Sequence, residues 1–344
     1  MSSVPQWCND RNNSTNWIDN KDVITIGTMF SGIESYIHAL KAITSAYRHC
    51  FSIENNAYCC KVIRKTAEPE LMIQQDVNKI NIDLLPHVDV FCASPSCTPY
   101  STLGVQNPAD PRRDLIKPVI EYVTKRKPYV VVVENVVNFK TSPACARLKN
   151  ELEENEYTVE MKILDSSDFG SPQKRKRLFV LAVARHCQLP WPVPTFPLPK
   201  PINSVVLEPI SNLPAHVWLT EKGVAYVEKR KKWGSRVFKR DYVGTMPTFC
   251  KSYGHQTHWK HTIHEDNGKL RKLTCREIAN LMGFDATFPV DIVSKTQTQY
   301  QLGNAIDLHV LRPLMKELFK LLCKAKQDDR VVIRREDRTF TFRQ

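Results

Sequence analysis

Val23-Ile24-Thr25-Ile26-Gly27-Thr28-Met29-Phe30-Ser31-Gly32-Ile33-Glu34 decides the fold of this chain. Val23 to Phe30 is an apolar, β-branched run and reads as a buried strand. Ser31-Gly32-Ile33-Glu34 is the turn, and Ser35 to Ala46 reads as a helix with Tyr36, Leu40 and Ile43 on one face. Strand, glycine turn and helix open a Rossmann-like unit, in which the turn's backbone lies close to a bound cofactor.

Outward from that turn, apolar strand runs alternate with helical segments. Phe51-Ser52-Ile53-Glu54 reads as the second strand. It ends in a carboxylate about 20 residues after the glycine turn, where an acid accepts hydrogen bonds from ribose hydroxyls. Val88-Asp89-Val90-Phe91 reads as another strand and runs into Cys92-Ala93-Ser94-Pro95-Ser96-Cys97-Thr98-Pro99-Tyr100-Ser101. Pro95 and Pro99 stop any helix or ladder, so Cys97 is expected on a stiff loop at a strand's carboxyl end. In an open α/β sheet that edge binds ligands. A thiol there acts as a nucleophile when its surroundings lower its pKa or steady its product.

Tyr129-Val130-Val131-Val132-Val133 reads as a central parallel strand. It delivers Glu134 to the same sheet edge as Cys97, and a carboxylate straight after five apolar residues needs a partner. Ala144 to Glu154 reads as a helix and Tyr157 to Leu164 as a strand. Gln173-Lys174-Arg175-Lys176-Arg177 then leads into the strand Leu178 to Ala184. If this pentamer is strand, Arg175 and Arg177 point to one side, as two donors converging on one base require.

From His186 the composition changes. Six prolines between Pro190 and Pro201 mark a linker. Beyond it, Lys229-Arg230-Lys231-Lys232-Trp233 and Lys251-Ser252-Tyr253-Gly254-His255 interleave basic and aromatic residues, a mixture suited to phosphate contacts and base stacking. Thr274 and Glu277 form a capping-box pair at a helix start, and Gly283-Phe284 ends that helix. Gln301-Leu302-Gly303-Asn304-Ala305-Ile306 is expected to open the last helix, running to about Cys323.

The net charge of +13 and pI of about 9.2 favour an acidic partner, most simply nucleic acid. A hydrophobic fraction of 42% is ample for a core, and no apolar run approaches a membrane span. Residues 1–20 carry no apolar segment of signal-peptide type. The eleven cysteines are an odd number without metal-ligand spacing, Cys59-Cys60 being the closest pair. They point to free thiols in a reducing, intracellular protein with no metal site.

Taken in order, these motifs resemble the cytosine-C5 DNA methyltransferase family over Val23 to Cys323, nearly the whole chain. The family pattern at the first turn is Phe-x-Gly-x-Gly after an acidic residue. This chain has Phe30, Gly32 and then Glu34, with Thr28 in the acidic place. Ser96 and Thr98 replace the usual Pro and Gln beside the nucleophile. Asp76, the Asp110–Leu115 segment, Gln-x-Arg-x-Arg at 173–177 and Gly303-Asn304 fall at family positions.

The resemblance implies an α/β fold: a Rossmann-like S-adenosylmethionine-dependent methyltransferase sheet with a small target-recognition domain. Residues 1–22 would be a polar arm, 23–187 and 269–323 the catalytic and cofactor domain, 188–268 the recognition domain and 324–344 a charged tail. It implies methyl transfer from S-adenosylmethionine to cytosine C5 in double-stranded DNA, as in restriction-modification, with the base flipped out of the stack. Cys97 would add to C6, Glu134 would act at N3, and Arg175 and Arg177 would donate to O2 and the Cys97 loop. Phe30, Ser31, Gly32, Ile33, Glu54, Asp76, Pro95 and Asn304 would hold the cofactor, in a monomer without membrane attachment. Two alternatives stay open. One is the tRNA-modifying branch of the family, which the run Glu277 to Phe284 also resembles. The other is a non-catalytic nucleic-acid binder.

Overall fold

The computed structural model describes residues 23–96, 114–184, 189–230, 236–251, 261–327, 331–333 and 340–342. In chain order the main elements are β1 (Ile24–Met29), α1 (Ser35–Lys41), β2 (Tyr47–Glu54), α2 (Ala57–Thr66), β3 (Leu71–Gln74), β4 (Val90–Ala93), α3 (Lys117–Arg126), β5 (Val130–Asn135), α4 (Pro143–Glu154), β6 (Thr158–Asp165) and β7 (Lys176–Val183). There follow α5 (Ile202–Val205), α6 (Glu221–Arg230), β8 (Val237–Lys239), β9 (Thr262–His264), β10 (Leu270–Arg271), α7 (Cys275–Leu281), α8 (Lys295–Asn304) and α9 (Leu308–Gln327). A terminal ribbon pairs β11 (Val331–Ile333) with β12 (Phe340–Phe342).

Among the described residues, seven strands form one sheet in the order β3-β2-β1-β4-β5-β7-β6. The pairs from β3 to β5 are parallel, whereas β7 runs antiparallel to both β5 and β6. All six positions of β1 and of β5 are buried, so their apolar residues do not alternate. Strands covered on both faces read this way. The chain leaves β1 toward β2 and β3, then returns to the other side of β1 as β4 and moves on to β5. Right-handed crossovers in opposite directions place α1 and α3 on opposite faces, and α9 packs against α1. The order reverses between β1 and β4, and there the carboxyl ends splay into a crevice.

Among the described residues a second sheet has the order β10-β9-β8, and its last strand in the chain lies beyond Gly268. Phe249, Met246 and Ile263 are fully buried in the same apolar cluster as β1, β4 and β5, so the two parts share one core. Arg271, fully buried, clamps Glu277 of α7 through two nitrogens at 2.7 and 2.8 Å and also pairs with Glu265. Thr274 and Glu277 make the expected capping box.

Two expectations change. Helix α1 ends at Lys41, not Ala46. The residues that would have continued it turn into β2, which begins at Tyr47 because Tyr47 to His49 pair with Ile24 to Ile26. Gln301 to Asn304 closes α8 instead of opening the last helix. Ala305 is extended, and Asp307 accepts the His309 N–H at 2.9 Å to start α9 afresh.

Candidate active site

The turn after β1 is bent by three left-handed residues, Phe30 (φ 55°), Gly32 (φ 58°) and Glu34 (φ 63°). Only glycine adopts that conformation without steric cost, so the neighbouring strand must hold the turn. It does so at two points. Ser31 N–H donates to the Ile53 carbonyl at 3.2 Å, and Gly32 N–H donates to Glu54 Oε2 at 2.9 Å. The other Glu54 oxygen accepts Asn56 N–H at 2.8 Å, just before α2. The Asn55 N–H also bonds this carboxylate, so of its four acceptor sites one stays available to a hydroxyl donor in the cleft. Burial raises the Glu54 pKa, and the N–H groups of Asn56 and Gly32 restrain the rise.

Asp76 is exposed and caps the turn after β3 through the Asn78 N–H at 3.0 Å. Pro95 is buried after β4, and its carbonyl accepts Asn135 Nδ2 at 3.1 Å. That bond ties the loop two residues before Cys97 to the residue after Glu134. Cys97 itself lies outside the described residues, as do Thr98 and the segment 110–113. Ser94 Oγ stands 3.3 Å from the Tyr36 hydroxyl.

Glu134 is buried at the end of β5, with Arg177 Nε 3.2 Å from its Oε1. Burial raises its pKa, against the pull of the Arg177 and Arg175 charges. Arg175 is placed differently from the two-donors-on-one-base expectation. It precedes β7, is only 2% exposed, and donates to the backbone carbonyls of Phe249 at 2.7 Å, Gly303 at 3.0 Å and Ala305 at 2.7 Å. Burial and the Arg177 charge lower its pKa. It is a strut between β7, the end of α8 and the stretch that ends at Lys251. Gly303 belongs to the same joint, since a Cβ there would sit 2.3 Å from the Lys251 backbone nitrogen. Asn304, exposed at the end of α8, faces the cleft.

Most of these residues line one cleft of ≈ 500 Å³, within the range of small-molecule sites. Phe30, Ser31, Gly32, Ile33, Glu54, Asp76, Pro95 and Asn304 meet Glu134, Arg175 and Arg177 there. The model for C-5 cytosine-specific DNA methylase matches residues 24–320. The chain belongs to this family.

Among its relatives, the Type II methyltransferase M.AplI of Arthrospira platensis is 28% identical over 248 residues, 70% of this chain and 71% of that one. M.HhaI of Haemophilus parahaemolyticus is 28% identical over 262 residues, 69% of this chain and 77% of the other. In fold the chain is similar to the S. pombe Dnmt2 methyltransferase, with TM-score 0.74 and 20% identity, covering 87% of this chain and 99% of that one. The Entamoeba histolytica methyltransferase EhMeth is similar too, with TM-score 0.70 and 21% identity, covering 87% and 98%.

As a C-5 cytosine-specific DNA methylase, the enzyme draws its methyl group from S-adenosylmethionine. The cleft suits that molecule. A Cβ added at Gly32 would meet no atom within 4 Å, so the turn is open on that side. Across the cleft, Gln301 is 4% exposed and its Nε2 has no hydrogen-bond partner. Sequence reasoning quoted Gln301 and Ser94 and set Tyr36 on a helix face, but gave none of the three a role in the site. A lone amide in a helix carries no signal until its orphaned donor is seen in the cleft. Among the described residues no cluster of metal-ligating side chains occurs, and no helix is long and apolar enough to cross a membrane.

Proposed function

We propose that this methylase acts on cytosine in double-stranded DNA through a covalent bond between Cys97 and C6 of a base flipped into the cleft. The observation that carries the reading is the bond from Asn135 Nδ2 to the Pro95 carbonyl. Ala93 and Val133 are register partners on adjacent parallel strands, so the loop leading to Cys97 and the Glu134 carboxylate leave the sheet side by side.

Cytosine C5 is a poor nucleophile. Addition of the Cys97 thiolate to C6 moves an electron pair to C5, which then takes the methyl group. Removal of the C5 proton by a base re-forms the C5–C6 double bond and expels the thiolate. Glu134 serves the addition step. Its raised pKa favours a protonated carboxyl that donates to N3, while Arg177 holds it in place and offers its remaining donors to O2. Glu54 accepts a ribose hydroxyl, and the Phe30–Ile33 turn and Asn304 bound the methionine end. The cofactor supplies an electrophilic methyl group. Extrusion of the base costs a few kcal/mol of unstacking, offset by phosphate contacts from the basic recognition domain.

The test is adduct formation with duplex DNA containing 5-fluorocytosine, whose C5 fluorine does not leave as a proton does. Wild type should be trapped after methyl transfer, and Cys97→Ser should form no adduct while still binding DNA. Glu134→Gln should slow addition by about 10²–10³-fold. An adduct with tRNA and none with DNA would establish the RNA reading. No adduct with either would refute the covalent mechanism.

A further inference from the structure

Glu34 occupies the place of the family's second glycine, in left-handed backbone (φ 63°, ψ 48°) and with no exposed surface. Its side chain turns under the cofactor turn, away from the cleft, and meets two strands. Oε1 accepts Thr28 Oγ1 of β1 at 2.6 Å and the Ser52 hydroxyl of β2. His49, also buried on β2, brings Nε2 to 2.9 Å from Ser52 Oγ and 3.5 Å from Glu34 Oε1. Oε2 of Glu34 is buried without a partner.

The protons of this group can be counted. His49 Nδ1 lies 3.2 Å from the Ala67 carbonyl oxygen. A carbonyl only accepts, so Nδ1 carries hydrogen. Ser52 has a single hydroxyl proton; beside the Thr28 hydroxyl, a donor 3.4 Å away, it has two neighbours that can take that proton, Glu34 Oε1 and His49 Nε2. If it donates to Glu34, Nε2 must donate to Ser52, and the group is an imidazolium–carboxylate pair. If it donates to Nε2, Glu34 must donate to Ser52, and the group is a neutral imidazole with a carboxylic acid. Either way Glu34, Ser52 and His49 share one mobile proton and carry no net charge, the arrangement a buried cluster requires.

We propose that Glu34, His49 and Ser52 form a one-proton cluster that positions the cofactor turn, replacing with side-chain bonds the conformational freedom that a glycine would supply. This inference rests on the cofactor reading above. Titratable groups face the cluster from α1, β4 and the end of β2. On α1, burial pushes the His38 pKa down to about 4 and raises that of Tyr36. Cys92 on β4 is raised by burial. Glu54, at the end of β2, is the other carboxylate facing the group. Burial would raise Glu34, but the His49 charge and the hydrogen bonds from His49, Ser52 and Thr28 outweigh it and leave its pKa lowered. Because the cluster fastens Thr28 and Ser52 to the residue that closes the turn, its loss should be felt in cofactor affinity before catalysis.

Calorimetric binding of S-adenosylmethionine to the full chain tests this, with wild type, Glu34→Gly, Glu34→Gln, His49→Gln and the milder Ser52→Ala. Glu34→Gly keeps the backbone conformation and removes the bonds, so a tenfold or greater loss of affinity supports the cluster. Effects of Glu34→Gln and His49→Gln that do not add in the double variant support the shared proton. The pH profile separates positioning from bulk stability. The ratio of wild-type to Glu34→Gln affinity should fall on the alkaline side, where the cluster loses its proton and a net negative charge is left buried. Urea unfolding of each unliganded variant shows whether it is folded, and Ser52→Ala carries the affinity comparison if the charged-site variants are not. Glu34→Gly binding within twofold of wild type, or a flat ratio, overturns the inference. Failure of wild type itself to bind the cofactor would instead overturn the reading on which it rests.

Discussion

Replacing Arg175 by methionine separates two roles that the Gln-x-Arg-x-Arg pattern leaves merged. If Arg175 binds the target base, its loss should damage catalysis and spare the free protein. The structure predicts the reverse order of effects, because the guanidinium is committed to three carbonyls in the absence of nucleic acid. A hydrogen bond from a charged group contributes about 1.5–3 kcal/mol, so three contribute about 5–9 kcal/mol before offsets. Removing a buried cation recovers several kcal/mol of desolvation, and its lowered pKa indicates that this cost is present. The net loss should be about 2–4 kcal/mol, with three carbonyls left to find water or new donors. Equilibrium urea unfolding of the unliganded protein measures it. Arg177→Met is the comparison, since that side chain is 18% exposed and pairs with Glu134 in the cleft. Because Glu134, once unpaired, can take up a proton, this variant should cost less stability than Arg175→Met but most of the activity. Wild-type unfolding by Arg175→Met together with lost methyl transfer would refute the strut and return the residue to the base.

The remaining expectations follow from single contacts. Glu54→Ala should weaken S-adenosylmethionine binding by about 1–3 kcal/mol, read by calorimetry, because it removes the proposed ribose acceptor and frees the N–H groups of Gly32 and Asn56. The Glu134 pKa is raised above 4.5 in the folded state, so its protonation stabilises the fold below that value, and the contribution is lost as pH rises through the folded pKa. Glu134→Gln should therefore gain stability relative to wild type as pH rises above 4.5, and a pH-independent difference in urea unfolding would contradict this. Arg271→Met should cost about 3–5 kcal/mol by stranding Glu277 in the core, while Glu265 keeps its pair with Arg240, measured in the same way.

What the sequence discloses depends on how far a residue's partners lie along the chain. Glu54 and Glu134 are legible because each ends an apolar strand, and a strand end fixes direction as well as place. The switch point between β1 and β4 follows from the same runs, since the glycine turn and the proline-bounded loop must both leave the sheet at its carboxyl edge. Arg175 is not legible in this way. Its three carbonyl partners lie 74, 128 and 130 residues downstream, and no local pattern reports them. Two residues that look like neighbours on one strand therefore part company. Arg177, inside β7, reaches Glu134, while Arg175, one residue before β7 begins, is drawn under the end of α8. Glu34 is the inverse case. In the sequence it reads as a departure from a glycine pattern, a defect in the turn. In the fold its carboxylate finds Ser52 18 residues later, and the departure becomes a fastening. The cleft is thus assembled by two kinds of bond. Strand ends aim the groups that face the ligand, and buried side chains from distant segments hold the turns on which those groups stand. The second kind decides whether the first is held to the tolerance that methyl transfer requires.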